Sequence, residues 1–292
     1  MYELISVGKN SFYIECPAKI GIVRQNEKDV CLIDSGNHKD TAKKVRQILD
    51  ANGWHLTAIF NTHSHADHIG GNAYLQAQTG CKIYAAESEC DYIRHPILEP
   101  TYLIGAFAPK ELHNKFLLAQ PSEVEVLTDA VLPEGMQAIP LPGHCGDQLG
   151  FRTKDDVVYL ADCLSGEETL QKYQINFLYD VESYLQTLES VKQMQGACFV
   201  PSHAAHTDNI APLAQKNIDK VQEIAARILQ HCKTPQNFEA LLGNLFSDYA
   251  LTLSFQQYAL VGSTVRSYLS WLKDRGELEY LIENNLLLWK TV

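Results

Sequence analysis

Eleven residues, Asn61-Thr62-His63-Ser64-His65-Ala66-Asp67-His68-Ile69-Gly70-Gly71, constrain this chain more than any other stretch. Three histidines and an aspartate fall within six residues, directly after the apolar run Leu56 to Phe60. That placement fits a buried strand ending in a loop, with a helix opening near Asp67. On an extended segment residues two apart point to the same side, so His63 and His65 can share one metal. Asp67 and His68 stand at the turn into the helix, which directs them to a second position nearby. Imidazole with carboxylate suits zinc, iron or manganese, and the lack of a thiolate argues against a structural zinc knot. The plain alternative is a solvated histidine-rich loop. The density of the spacing and four further pieces, one upstream and three downstream, argue against it.

The chain has 292 residues, enough for a large domain with an appendage. No apolar run reaches the roughly 20 residues of a membrane helix. Met-Tyr-Glu-Leu-Ile-Ser-Val lacks the basic start of a signal peptide. Eight cysteines include no Cys-x-x-Cys pair, and several lie in apolar runs, so free thiols in a reducing cytoplasm are expected. The net charge of −11 is unevenly spread. From Pro212 onward 8 Lys and Arg face 8 Asp and Glu, so residues 1–211 carry the whole acidic excess. An acidic body works against non-specific binding to phosphate backbones.

Leu4–Val7, Ser11–Cys16, Ile20–Arg24 and Val30–Asp34 read as an antiparallel meander, the last strand tipped by Asp34 before a Gly turn. A helix over 41–49, the strand of the histidine loop, a helix over 67–79 and a strand over 82–85 continue as strand–helix alternation. This mix predicts sheet layers with helices packed outside. Residues 90–121 break the rhythm with Pro96, Pro100 and Pro109 and with aromatic Tyr92, Tyr102, Phe107 and Phe116. Such an insertion is either a lid or substrate wall, or a packed structural excursion. His95 and His113 lack ligand spacing. Pro142-Gly143-His144, Leu160-Ala161-Asp162 and Pro201-Ser202-His203 each put a polar group at or just past a strand end. One such histidine is usually structural, whereas a set of them gathers where open sheets bind ligands.

A boundary is expected near Pro212. An amphipathic helix over 213–231 follows, then one capped by Thr234-Pro235 and a third over 254–273. Leu278–Ile282 and Leu286–Trp289 alternate about Asn284-Asn285, a hairpin signal. Three helices and a hairpin make a winged-helix-like unit. With balanced charge, packing or dimerisation is favoured over nucleic-acid binding.

Taken together, these pieces resemble the metallo-β-lactamase superfamily of hydrolases. Thr62-His63-Ser64-His65-Ala66-Asp67-His68 matches its hallmark motif, and Leu32-Ile33-Asp34-Ser35-Gly36, Pro142-Gly143-His144, Leu160-Ala161-Asp162 and Pro201-Ser202-His203 match the other four in order. The resemblance covers about residues 1–211 and implies an α+β fold, a four-layer αββα sandwich, with 212–292 as a separate winged-helix-like domain. It implies that His63, His65 and His144 hold one divalent ion, that Asp67, His68 and His203 hold a second, and that Asp162 bridges them. Asp34 would fix the metal loop from behind. Zinc is the expected metal, with manganese and iron as alternatives. The C-terminal unit also looks like the tail of a subgroup that includes a ribonuclease. Two departures bear on activity. Cys145-Gly146 follows His144 where the family often has Thr and Pro, and Asp162 stands where dinuclear β-lactamases have Cys. Cys163 would point to the other side of the strand. Flavodiiron-type oxidoreductases have Glu where this chain has His65, which counts against that branch.

The expected chemistry is attack by a metal-bridged hydroxide, its water acidified from about 15.7 to roughly 7, on a small ester or thioester. Asp67, Asp34 and His206 are the candidate catalytic residues, His206 as a proton donor or substrate contact. A metal-dependent ribonuclease or phosphodiesterase and an iron-dependent sulfur oxidoreductase are the alternatives. Expected partners are a small-molecule substrate, nucleic acid only through the C-terminal unit, a second copy of the chain, and no membrane.

Overall fold

The computed structural model describes residues 2–292. Four strands, β1 (Glu3–Ser6), β2 (Ser11–Glu15), β3 (Ile20–Arg24) and β4 (Asp29–Ile33), pair antiparallel in sequence order. Past α1 (Lys39–Ala51), β5 (His55–Phe60), β6 (Lys82–Ala85) and β7 (Glu125–Val126) extend the sheet in parallel to seven strands. A second sheet has the order β11-β10-β9-β8, built from β8 (Gln137–Pro140), β9 (Leu149–Arg152), β10 (Val157–Ala161) and β11 (Cys198–Pro201).

Strand periodicity explains the layering. Val30 and Leu32 of β4 face the helices, packing with Val45 and Leu49 of α1, while Cys31 and Ile33 face the second sheet. On β10, Val157 and Tyr159 meet the first sheet and Val158 and Leu160 turn outward. The outward face is covered by α7 (Val181–Lys192), which follows the short α6 (Glu167–Tyr173), and by α8 (Ala211–His231), which completes four layers, helix–sheet–sheet–helix. The fold is α+β. Each fully buried Val, Leu or Ile contributes about 1.5–3 kcal/mol, so the outer strips Val45–Leu49 and Val221–Ile228 anchor their helices.

Three helices and a hairpin complete the chain: α8, α9 (Phe238–Asp248), α10 (Phe255–Asp274), β12 (Leu278–Glu283) and β13 (Leu286–Thr291). Their core is continuous with the outer face of the second sheet, because Leu241, Leu245, Val265 and Leu269 join Val158, Leu160 and Phe199 in one buried cluster. The hairpin turns where expected, with Asn284 and Asn285 both at positive φ.

Several local expectations are corrected. The helix expected over 67–79 is two, α2 (Ala66–Ile69) and α3 (Asn72–Thr79), separated at Gly70-Gly71. A Cβ on Gly71 would lie 2.3 Å from the Ser35 carbonyl oxygen, so the backbones approach too closely for any side chain. The cap of α9 is Asn237, whose side chain accepts from the Ala240 amide, not Thr234-Pro235. Gln236 is already paired with Trp289 and starts the helix later. Residues 90–121 are partly helical, containing the end of α4 (Glu87–Arg94) and α5 (Leu98–Ile104). No helix among the described residues is long and apolar enough to cross a membrane.

Candidate metal centre

All seven expected ligands gather at one edge of the sandwich. Asp34 follows β4, the histidine loop follows β5, and Asp162 and His203 follow β10 and β11, while His144 lies in the loop after β8. Since β4 and β5 are parallel and β8, β10 and β11 run the same way, these tips converge. A bulge between Tyr159 and Ala161, with Ala161 at φ 51°, aims Asp162 into the centre. Cys163 turns the other way into the outer core. Gly143, at φ 123°, lets the loop bearing His144 press on α7, where a Cβ would come within 2.3 Å of the Tyr184 backbone.

Donor atoms form two groups. His63, His65 and His144 make one; Asp67, His68, Asp162 and His203 make the other, each with its ligand atoms within 4.8 Å of one another. In the first, the His65 Nδ1 lies 3.0 Å from His63 Nε2 and 2.9 Å from His144 Nε2. In the second, Asp162 Oδ1 is 3.2 Å from His68 Nε2 and its Oδ2 is 3.1 Å from His203 Nε2. The same carboxylate reaches 3.7 Å from His144 Nε2, so it stands between the groups.

Hydrogen bonds behind the ring nitrogens fix which atoms face inward. His144 Nδ1 donates to the Phe177 carbonyl at 3.1 Å and His203 Nδ1 to the Pro17 carbonyl at 2.8 Å, which turns each Nε2 toward the centre. Asp34 is the shared anchor. It accepts from the Thr62 amide, from the Thr62 hydroxyl and from His68 Nδ1, at 2.8, 2.8 and 2.7 Å. The Thr62 hydroxyl, having donated to Asp34, accepts from His63 Nδ1 at 2.9 Å. One buried carboxylate therefore orients two of the histidines.

A cation fits this donor set. Inward lone pairs about 3 Å apart repel unless something positive lies among them, and Nε2 of His68 and Oδ1 of Asp162 are buried without a hydrogen bond. The titration behaviour divides the same way. Burial, helped by neighbouring histidines, pushes His63 well down; burial outweighs the nearby carboxylates and pushes His65 to about 4 and His144 to about 3. For His68 and His203 burial opposes protonation, but Asp162 and Asp67 overcome it, raising His68 well above its ordinary value and His203 to about 10. Asp67 and Asp162 are held below the usual carboxylate range by His68 and His203, despite their burial. In the absence of a cation, the second group is neutralised by protons.

His206 stands apart from both groups. It is exposed, its Nδ1 pairs with the Tyr13 hydroxyl at 2.9 Å, and it is not among the residues lining the cavity over the centre. That cavity, about 360 Å³, has His65, Asp67, His144 and Asp162 as its polar floor. Its walls come from α5, from the loop holding Phe116 and Leu117, from Phe177, and from Gln257 and Leu260 of α10. No Lys or Arg is among its described lining residues. A wider groove of about 740 Å³ runs along α10 past Trp271, away from the donor groups.

Two acidic residues were missed by sequence reasoning. Glu89 of α4 accepts from the Ser64 amide at 2.8 Å and braces the histidine loop. Glu99 of α5 lines the cavity with its carboxyl buried. The only local signal was a carboxylate on the inward face of each helix, beside Cys90 and Ile93 in one and Leu103 in the other.

Comparison with known proteins places the chain. The model of the metallo-beta-lactamase superfamily matches residues 13–203. A hydroxyacylglutathione hydrolase of Methylococcus capsulatus is 48% identical over 115 residues, 39% of this chain and 36% of that protein. An atrochrysone carboxyl ACP thioesterase of Aspergillus fumigatus is 23% identical over 73% of this chain and 59% of its own length. The chain thus spans between about a third and three fifths of these curated relatives. A beta-lactamase domain protein from Burkholderia ambifaria superposes with a TM-score of 0.75 over 99% of this chain and 94% of that one, at 16% identity, a likeness of fold. With the family model covering 13–203, which holds most of both sheets and every donor residue, the chain belongs to the metallo-beta-lactamase superfamily.

Proposed function

We propose that this protein is a dinuclear metal-dependent hydrolase of a small ester or thioester. The observation that carries this reading is Asp162, whose carboxylate stands between two complete donor groups on the floor of a cavity. In it, His63, His65 and His144 would hold one ion and Asp67, His68 and His203 the other, with Asp162 within reach of both groups. Imidazole and carboxylate donors suit zinc first, and manganese or iron next. Two bound divalent ions supply Lewis acidity and a water acidic enough to attack a carbonyl at neutral pH. Asp34 keeps His63 and His68 in the required tautomers. Leu103, Phe177 and Leu260 exclude bulk water and hold the apolar part of the substrate near the donor floor. The residues 1–211 act as the catalytic unit, and 212–292 contribute α10 as one wall of the cavity.

The wall chemistry separates this reading from its rivals. A phosphodiester's charge would be met by the ions on the floor alone, since the cavity walls add no Lys or Arg to hold it. The C-terminal segment, with 8 basic and 8 acidic residues, offers no excess positive charge to an RNA backbone. The relatives' names, a hydroxyacylglutathione hydrolase and an ACP thioesterase, both describe thioester hydrolysis. The test is turnover by zinc-loaded protein of a neutral thioester and an aryl ester, beside bis-p-nitrophenyl phosphate and single-stranded RNA. Thioester or ester turnover that is lost in His203→Ala supports the proposal. Cleavage confined to the phosphodiester or RNA contradicts it.

A further inference from the structure

Residues 90–121 interrupt the sandwich and supply one side of the cavity over the donor groups. Leu103, Phe116 and Leu117 come from this stretch, and Leu260 and Val261 come from α10. The two sides are tied together behind the cavity, where Leu103, Leu112, Leu117 and Ala259 form one buried cluster with Phe177 and Leu260 packed on it. This apolar wall begins at the ligands themselves. The Phe177 ring centre lies 5.2 Å from that of His65 and 5.5 Å from that of His144. At its other end the wall reaches solvent, because Phe116 and Tyr173 line the same cavity and are 57% and 45% exposed. Phe116 is held there by a turn in which its amide donates to the Asn114 side chain at 3.0 Å. Large rings left half in water at the mouth of a cavity are covered when an apolar ligand fills it. His65 also lines a second cavity, of about 210 Å³, whose walls include Ser64, Ser88, Tyr92 and Tyr102. The two cavities share only His65 and Glu99 among their described lining residues, and the hydroxyls of the second suit a polar arm.

We propose that the substrate's acyl group is an extended apolar chain, running from the donor floor along Phe177 and Leu260 to Phe116 and Tyr173. The proposal rests on the hydrolase reading above and names its substrate class, an ester or thioester of a medium- or long-chain acid. An ester or thioester has two arms diverging from its carbonyl. The apolar arm takes the cavity walled by residues 90–121 and α10, and the polar leaving arm takes the second. An acetyl group would fill only the floor and leave Phe116 and Tyr173 in water. Lys115 and Lys172 lie over these two rings, with Nζ 5.3 and 4.8 Å from the ring centres, and stand outside the cavity lining. An anionic group on the substrate is therefore the competing occupant of the rim.

The test uses metal-loaded full-length protein and two series of thioesters. One joins acetyl, butanoyl, hexanoyl and octanoyl groups to the short polar thiol N-acetylcysteamine; the other places the same chains on the thiol side of a thioacetate. Along the acyl series kcat/KM is expected to rise by about fourfold for each methylene taken out of water, and along the thiol series to stay flat. Phe116→Ser and Tyr173→Ser are each expected to lower the octanoyl-to-acetyl ratio of kcat/KM by about fivefold. Independently of turnover, calorimetry is expected to show octanoate binding more tightly than butanoate, with a more negative heat-capacity change. A flat acyl series, a gain that follows the thiol series, or a ratio unmoved in both variants overturns the proposal and leaves the hydrolase reading in place. So does a gain produced by a terminal carboxylate on the acyl chain rather than by its length, which would assign the rim to Lys115 and Lys172. Absence of turnover of every ester and thioester by the wild type overturns both.

Discussion

Removing the carboxylate of Asp34 frees three donors at once, the Thr62 amide, the Thr62 hydroxyl and His68 Nδ1–H. Asp34→Asn keeps the shape but turns an amide N–H toward donors, so the tautomers of His63 and His68 are no longer fixed. Metal affinity is expected to fall by about 10–100-fold, measured by competition with a chromophoric chelator, while the melting curve stays cooperative. Unchanged affinity would show that Asp34 does not position the ligands. The two donor groups also differ in their protons. His65 and His144, pushed to about 4 and about 3, are already neutral at pH 7, so loading the first group releases no proton. His203, raised to about 10, is protonated at pH 7 and must lose that proton to bind a cation. Affinity at the second group therefore rises with pH, and affinity at the first stays flat across the neutral range. Calorimetric titration in two buffers of different ionisation enthalpy is expected to show proton release for one equivalent and not the other. Equal release for both would contradict the assignment.

Among the elements, the loop after β8 and the helix α10 make the sharpest predictions. Gly143→Ala forces a Cβ to within 2.3 Å of the Tyr184 backbone and strains a φ of 123°. A cost of about 1–3 kcal/mol is expected, seen as a melting midpoint several degrees lower, together with loss of the His144 ligand geometry. An unshifted midpoint would show that the loop relaxes freely. On α10, Leu260→Lys puts a cationic side chain into a cavity whose lining residues include none. It is expected to shift the ratio of kcat/KM for succinyl over butanoyl thioesters upward on the order of tenfold, the worth of one charged hydrogen bond. An unchanged ratio would mean that the acyl group does not lie against α10. These elements also show what was legible beforehand. The strands and the donor motifs are local patterns, so His63, His65, His144, Asp162 and His203 could be picked out one stretch at a time. The break at Gly70-Gly71 depends on the approach of Ser35, and the late cap of α9 depends on pairing between Gln236 and Trp289. Both are contacts between distant segments. Glu99 was invisible for the same reason, since its meaning comes from the cavity that α5, α10 and the metal loop enclose together.

For the whole molecule, the continuity of the outer core matters more than the composition change near Pro212. Val158, Leu160 and Phe199 of the second sheet are buried by helices that include those beyond that point. A chain ending at residue 211 would expose this strip, at about 25 cal/mol for each Å² of apolar surface uncovered. It is expected to lose cooperative unfolding and resistance to proteolysis; a stable, protease-resistant fragment would show that the first 211 residues stand alone. The central claim, a hydrolase run by two metal ions, is tested most directly by titrating zinc into metal-stripped protein while following hydrolysis of a neutral thioester. The account predicts no turnover in the stripped protein, a rise with added zinc, and a plateau at about two equivalents per chain. Turnover that persists in the stripped protein, or that ignores added metal, would contradict it.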